Sequence, residues 1–199
     1  MTGSKFEWHK MFAENKCYAD YHLRDTYTAN VGFSILTFEL ANELGRQLYG
    51  KLVLDLGCGT GYITEALTRR KVYASGLDSR QSTYVQYDKL KAFDFCTEYA
   101  LNKDIKEIDL EDVNCVILSW PDYDNNMAFE VASKMKQGQL LYYCGESYGG
   151  CTANDLFFEY LGLHFKVRED LTEALQPHHL RFRGIHDYWT VYEYVGEFL

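Results

Sequence analysis

The stretch Val53-Leu54-Asp55-Leu56-Gly57-Cys58-Gly59-Thr60-Gly61-Tyr62 decides the fold. It follows from Leu52-Val53-Leu54, a short apolar run suited to a strand buried on both faces. Three glycines then fall within residues 57–61. Glycine lets the backbone turn sharply and approach a ligand closely. Beyond the loop, Tyr62, Ile63, Ala66 and Leu67 lie on one side of a helix predicted over 61–70. The start of that helix offers backbone N–H groups with no intrahelical partner. A tight strand–helix turn with no ligand would use the same glycines.

Strands and helices alternate outward from this unit. Upstream, Leu36, Leu40, Leu44 and Leu48 recur four apart and predict a helix over 35–49, ended by Gly50. Downstream, residues 71–77 predict a strand ending at Asp78, 80–93 a helix and 97–101 a weak strand. Cys115-Val116-Ile117-Leu118 is a strong strand ending in Ser119-Trp120-Pro121. Met127, Ala128, Val131 and Met135 align on a helix stopped by Gly138. Leu140 to Tyr143 predict a buried strand that ends at Gly145. Leu156, Phe157, Tyr160 and Leu161 mark a helix over 153–162, capped by Thr152 and closed by Gly162. Residues 164–169 and 188–195 predict a last pair of strands, antiparallel and with no helix between them. Such alternation implies an α/β fold, a mainly parallel sheet with helices on both faces. The 199 residues fit one domain. Residues 1–34 read as an N-terminal arm and 35–199 as the core.

Composition narrows the partners. The formal net charge is −9 and the pI about 5.1. Nucleic-acid binding draws on clustered Lys and Arg, so this balance argues against it. No run approaches the roughly twenty apolar residues that span a bilayer. The first ten residues, with Glu7, His9 and Lys10, lack the apolar run of a leader. Six cysteines occur and none forms a C-x-x-C pair, which argues against zinc. Cys58, Cys115 and Cys144 sit in or beside apolar runs, as reduced structural cysteines do. These features imply a reduced, cytoplasmic protein with no metal. His178 and His179, after Pro177, are expected at the surface or at a substrate edge.

Two ligand classes use a glycine loop after a first strand. A dinucleotide site wants G-x-G-x-x-G, and here Tyr62 stands at the third glycine position. The loop instead has the form G-x-G-x-G with Asp55 two residues before its first glycine. An acid there repels a pyrophosphate and suits a cationic amino-acid ligand. Asp78, about twenty residues past the loop, can take both hydroxyls of a ribose.

These residues resemble the cofactor motif of class I S-adenosylmethionine-dependent methyltransferases, and the element order over 35–199 resembles their Rossmann-like fold. The resemblance implies that Asp55, Gly57 and Gly59 surround the methionine part of S-adenosylmethionine and that Asp78 binds the ribose hydroxyls. Asp104 and Ile105 become candidates for the adenine. Cys58, Gly61, Tyr62, Ser79 and Ser119 are further cofactor-binding candidates. The arm, rich in Tyr18, Asp20, Tyr21, His22, Tyr27 and Asn30, is either a lid or a surface arm packed by its own aromatics.

The fourth strand ends in Ser119-Trp120-Pro121-Asp122-Tyr123-Asp124. This resembles the N-P-P-Y loop of amino-group methyltransferases, with Trp120 where the amide stands and Asp122 in place of the second proline. Amino-group chemistry therefore does not carry over. Trp120, Pro121 and Tyr123 remain candidate catalytic residues as a wall beside the methyl group. Asp122 or Asp124 can instead cap the next helix. After the fifth strand, Gly145-Glu146-Ser147-Tyr148-Gly149-Gly150 with Thr152 resembles a methyltransferase-like group that also carries Trp-Pro near the fourth strand. Glu146 is the fourth catalytic candidate, as a general base, or else holds the turn. The expectation is a methyltransferase acting on a small molecule or protein. The alternative is a cofactor-binding protein of the same fold without transfer. Cleavage of the cofactor is a third reading that no residue favours.

Overall fold

The computed structural model describes residues 24–25, 27–28, 31–79, 100–101, 107–182 and 184–196. The strands are β1 (Leu52–Leu56), β2 (Tyr73–Leu77), β3 (Ala100–Leu101), β4 (Cys115–Ser119), β5 (Leu140–Gly145), β6 (Phe165–Val167) and β7 (Tyr188–Tyr194). They form one sheet in the order β3-β2-β1-β4-β5-β7-β6. The pairs from β3 to β5 are parallel, and β7 is antiparallel to both β5 and β6. The expected antiparallel pair is thus present, with β7 inserted between β5 and β6. Strand order reverses between β1 and β4, which makes their carboxyl ends the switch point where α/β sheets bind ligands.

Side-chain alternation loads both faces of the sheet. Cys115, Ile117, Tyr142 and Cys144 belong to one core with α1 (Phe38–Gln47) and α2 (Tyr62–Thr68). Val116, Leu118, Leu141 and Tyr143 belong to the other with α3 (Met127–Lys134) and α4 (Asp155–His164). Strands buried on both sides read as unbroken apolar runs, as β4 and β5 do. Leu52 departs from expectation: it is 39% exposed at the outer end of β1.

Several predicted boundaries move, each for a local reason. α1 starts at Phe38 because the Thr37 hydroxyl accepts the Leu40 N–H at 3.0 Å, leaving Ile35 and Leu36 buried ahead of it. α4 is capped by Asn154, which accepts the Phe157 N–H, and not by Thr152. It runs through Gly162 to His164. Neither Asp122 nor Asp124 stands at the cap of α3: Asn126 holds that position and Asn125 Oδ1 accepts the Met127 N–H at 2.9 Å. A helix that the sequence reading omitted, α5 (Glu169–Leu175), lies between β6 and β7, followed by a 3₁₀ turn at Gln176–His178. Its signal is small. Leu171 and Leu175 are its aliphatic i, i+4 pair, and Glu169 and Asp170 favour its positive N-terminal end. The predicted helix over 80–93 lies outside the described residues, as does the strand before Ala100. Among the described residues no helix is long and apolar enough to cross a membrane.

Candidate functional site

The glycine loop lies between β1 and α2, at the carboxyl edge of the sheet. Gly57, Gly59 and Gly61 have φ of +70°, +55° and +75°. These left-handed values explain the spacing, since glycine takes them without the Cβ penalty. The Gly57 and Cys58 N–H groups both donate to the Leu77 carbonyl, at 2.8 and 3.2 Å, and tie the loop to the end of β2. Gly59 N–H donates to Asp78 Oδ2 at 2.8 Å. Cys58 is buried, and its carbonyl accepts the Gly61 N–H. Ser79 is exposed, one residue beyond. Asp104 and Ile105 lie outside the described residues.

Asp55, at the last turn of β1, is 1% exposed. Its Oδ2 accepts the Thr64 hydroxyl at 2.8 Å, while Oδ1 is buried without a hydrogen-bond partner. Burial above all, with the nearby Asp78 charge adding to it, pushes its pKa up to about 7. A buried carboxylate half-satisfied in this way is stabilised by a cation brought beside it. A Cβ at Gly59 would meet no atom of the described residues within 4 Å, so the space at that glycine is open, whereas one at Gly57 would meet Met127 Cε at 2.9 Å. Buried acid, organised second acid and open backbone together fit an adenosyl ligand with a cationic amino-acid end.

Tyr62 packs away from the loop's open side. It is buried, its hydroxyl donates to the Ser34 carbonyl at 2.6 Å, and its ring meets Tyr27 edge-on. The Thr60 hydroxyl donates to the Val31 carbonyl at 2.6 Å. Residues 31–34 are therefore bound to the loop, and Phe33 continues to the end of β4, stacking on Trp120 at 5.5 Å.

Trp120 is strained. Its φ is +55°, unusual for a bulky residue. Its backbone N–H donates to the Cys144 carbonyl, and its indole Nε1 donates to Asp187 Oδ2 at 2.9 Å. Ser119 is half-buried at the end of β4, Pro121 is buried, and Tyr123 is 44% exposed further out. Asp122 forms an isolated bridge to Thr152. Of the two placements expected for His179, surface or substrate edge, the surface one fails: it is buried, with Nε2 3.0 Å from the Asp187 carbonyl and 3.3 Å from Oδ1.

Glu146 lies at the end of β5, and both its oxygens are engaged by backbone. Oε2 accepts the Cys151 N–H at 2.9 Å and Oε1 the His186 N–H at 3.2 Å. Burial raises its pKa, but these amides outweigh it and the net shift is downward. That direction opposes a base poised near neutrality. Thr152 locks the same turn: Oγ1 accepts the Glu146 N–H at 2.7 Å and pairs with the Tyr143 hydroxyl at 2.8 Å.

Sequence reading missed Arg24, Phe33 and Asp187, which meet Trp120, and Phe182, which meets Arg24. Each comes from a segment without periodicity. The available signal was an arginine inside an aromatic-rich arm and an acid directly before the last strand.

Among solved structures, those of S-adenosylmethionine-dependent methyltransferases share this fold, so the chain has a Rossmann-like class I methyltransferase fold. One from Clostridium acetobutylicum ATCC 824 is 10% identical, with TM-score 0.53 over 86% of this chain and 97% of that one. Magnesium protoporphyrin IX methyltransferase from Synechocystis PCC 6803, crystallised with the cofactor, is 12% identical, with TM-score 0.51 over 97% and 100%. A mutant of MtNAS in complex with S-adenosylmethionine is 10% identical, with TM-score 0.51 over 96% and 73%. No family model matches the sequence, and no curated protein is similar to it in sequence.

Proposed function

We propose that this chain binds S-adenosylmethionine across the carboxyl ends of β1 and β2 and moves its methyl group to a small-molecule or protein acceptor held beyond β4. The observation that carries this reading is the hydrogen bond from Gly59 to the Asp78 carboxylate beneath open space. The cofactor supplies a methyl group already activated on a sulfonium. The protein's task is then alignment and exclusion of water rather than bond activation.

Asp78 accepts from ribose hydroxyls while Gly59 holds its other side. Asp55 faces the cationic amino-acid end. Gly57 and Gly59 let the backbone approach. Residues 31–34, pinned through Thr60, Tyr62 and Trp120, cover the methyl end. Trp120 and Pro121 form the acceptor-side wall, and Glu146 keeps the β5 turn in place. A second reading, cofactor binding without transfer, is favoured by one observation: the Trp120 indole stands at the β4 end and is committed to Asp187. Calorimetric titration with S-adenosylmethionine and its demethylated product tests binding. Labelled methyl transfer into protein, nucleic-acid and small-molecule fractions tests transfer: label in none of them, by a protein that binds cofactor, leaves the second reading.

A further inference from the structure

Arg24 is a buried cation without an acid. Its side chain comes from the arm and is 9% exposed. Its guanidinium carbon lies 5.7 Å from the Trp120 ring centre and 5.8 Å from that of Phe182. Among the described residues it makes no ion pair or hydrogen bond. The acid beside Trp120, Asp187, is committed to the indole Nε1 and to His179. A guanidinium in a mostly buried side chain gives up part of its hydration, and cation–π contact with two rings offsets only part of that cost. Its N–H fork matches the geometry of a carboxylate.

We propose that Arg24 is the seat for a carboxylate on the methyl acceptor, so that the acceptor is an acidic small molecule. This rests on the methyltransferase reading above. The acceptor is favoured over the cofactor's own carboxylate because Arg24 lies against Trp120, just past β4, and against Phe182. A chain of net charge −9 repels an acidic ligand at long range, so a buried local cation is what such a ligand needs to be held.

The test compares wild type with Arg24→Gln and Arg24→Lys, each checked for a cooperative thermal transition. Labelled transfer into a small-molecule extract, separated by anion exchange, should mark species retained as anions. Arg24→Gln should raise KM for them by about tenfold or more, with cofactor affinity unchanged, and Arg24→Lys should recover part of the loss. Label in neutral or cationic species, or a KM unchanged in Arg24→Gln, overturns the proposal. So does an Arg24→Gln protein that binds S-adenosylmethionine weakly but its decarboxylated form as well as wild type does, since the cofactor would then own the seat. Succinate gives an arm independent of the cofactor. If wild type binds no cofactor, a melting midpoint raised by succinate only when Arg24 is present still supports the seat. No shift there, together with no cofactor binding, overturns both readings.

Discussion

Asp78 Oδ2 accepts the Gly59 N–H at 2.8 Å, so the acid at the end of β2 and the turn after β1 form one unit. The bond fixes one carboxylate oxygen of Asp78 against the loop. In the proposed site, Asp78→Ala loses the ribose acceptors and releases Gly59. Affinity for S-adenosylmethionine should fall by about tenfold to a hundredfold in a calorimetric titration. Asp78→Asn, which keeps an acceptor for Gly59, should lose less. Equal affinity in Asp78→Ala and wild type would place the ribose elsewhere.

Gly59→Ala separates ligand space from protein stability. A Cβ there meets no atom of the described residues within 4 Å, so the cost to folding is the left-handed φ of +55°, about 1–2 kcal/mol. The same Cβ enters the proposed ligand space. Cofactor affinity should drop at least tenfold, about 1.4 kcal/mol or more, while urea denaturation shows the modest stability loss. A binding loss no larger than experimental scatter would mean that the ligand does not lie over this glycine.

Asp55 gives a pH signature. Its pKa is about 7 in the folded chain against an ordinary 3.8, chiefly through burial. Between those values the folded protein retains a proton that the unfolded chain has lost. Stability from this group is therefore full below about pH 4, is lost as pH rises through 7, and stays lost above it. Asp55→Asn keeps an acceptor for Thr64 and cannot ionise. It should be more stable than wild type by about 1–3 kcal/mol near pH 8 and show no advantage near pH 4, read from urea melts at both. Binding of a cationic ligand favours the carboxylate, so wild-type cofactor affinity should rise from about pH 6 to pH 8 with proton release. Flat affinity and no released proton would separate Asp55 from the ligand.

Thr152→Val tests the β5 turn. The isosteric change removes the acceptor of the Glu146 N–H and one partner of the Tyr143 hydroxyl, which still donates to the Glu146 carbonyl at 2.9 Å. Leaving the amide unpaired costs about 1–3 kcal/mol. Urea melts should show that loss. A change below about 0.5 kcal/mol would mean that the turn is held by Glu146 alone.

The sheet was legible because β4 and β5 are buried on both faces and read as unbroken apolar runs. The glycine loop was legible because three left-handed positions admit little else. Capping was less legible. Thr152, Asn154, Asp122 and Asn125 are all polar residues near helix starts, and only the three-dimensional path decides which oxygen meets which N–H. The cluster on Trp120 was the least legible. Arg24, Phe33, Phe182 and Asp187 are up to 163 positions apart in the chain, counted from 24 to 187, and tertiary folding alone brings Arg24, Phe33 and Asp187 to one indole and Phe182 to Arg24. Glu146 was read as a base or a turn holder, and two backbone amides occupy it in ways no spacing reveals.

The most direct measurement is a calorimetric titration of the folded chain with S-adenosylmethionine, repeated on Asp78→Ala and Gly59→Ala. Saturable binding at one site per chain, weakened by both substitutions, is the predicted result. No heat and no shift of the melting midpoint with wild-type protein, folded by circular dichroism, would contradict the account.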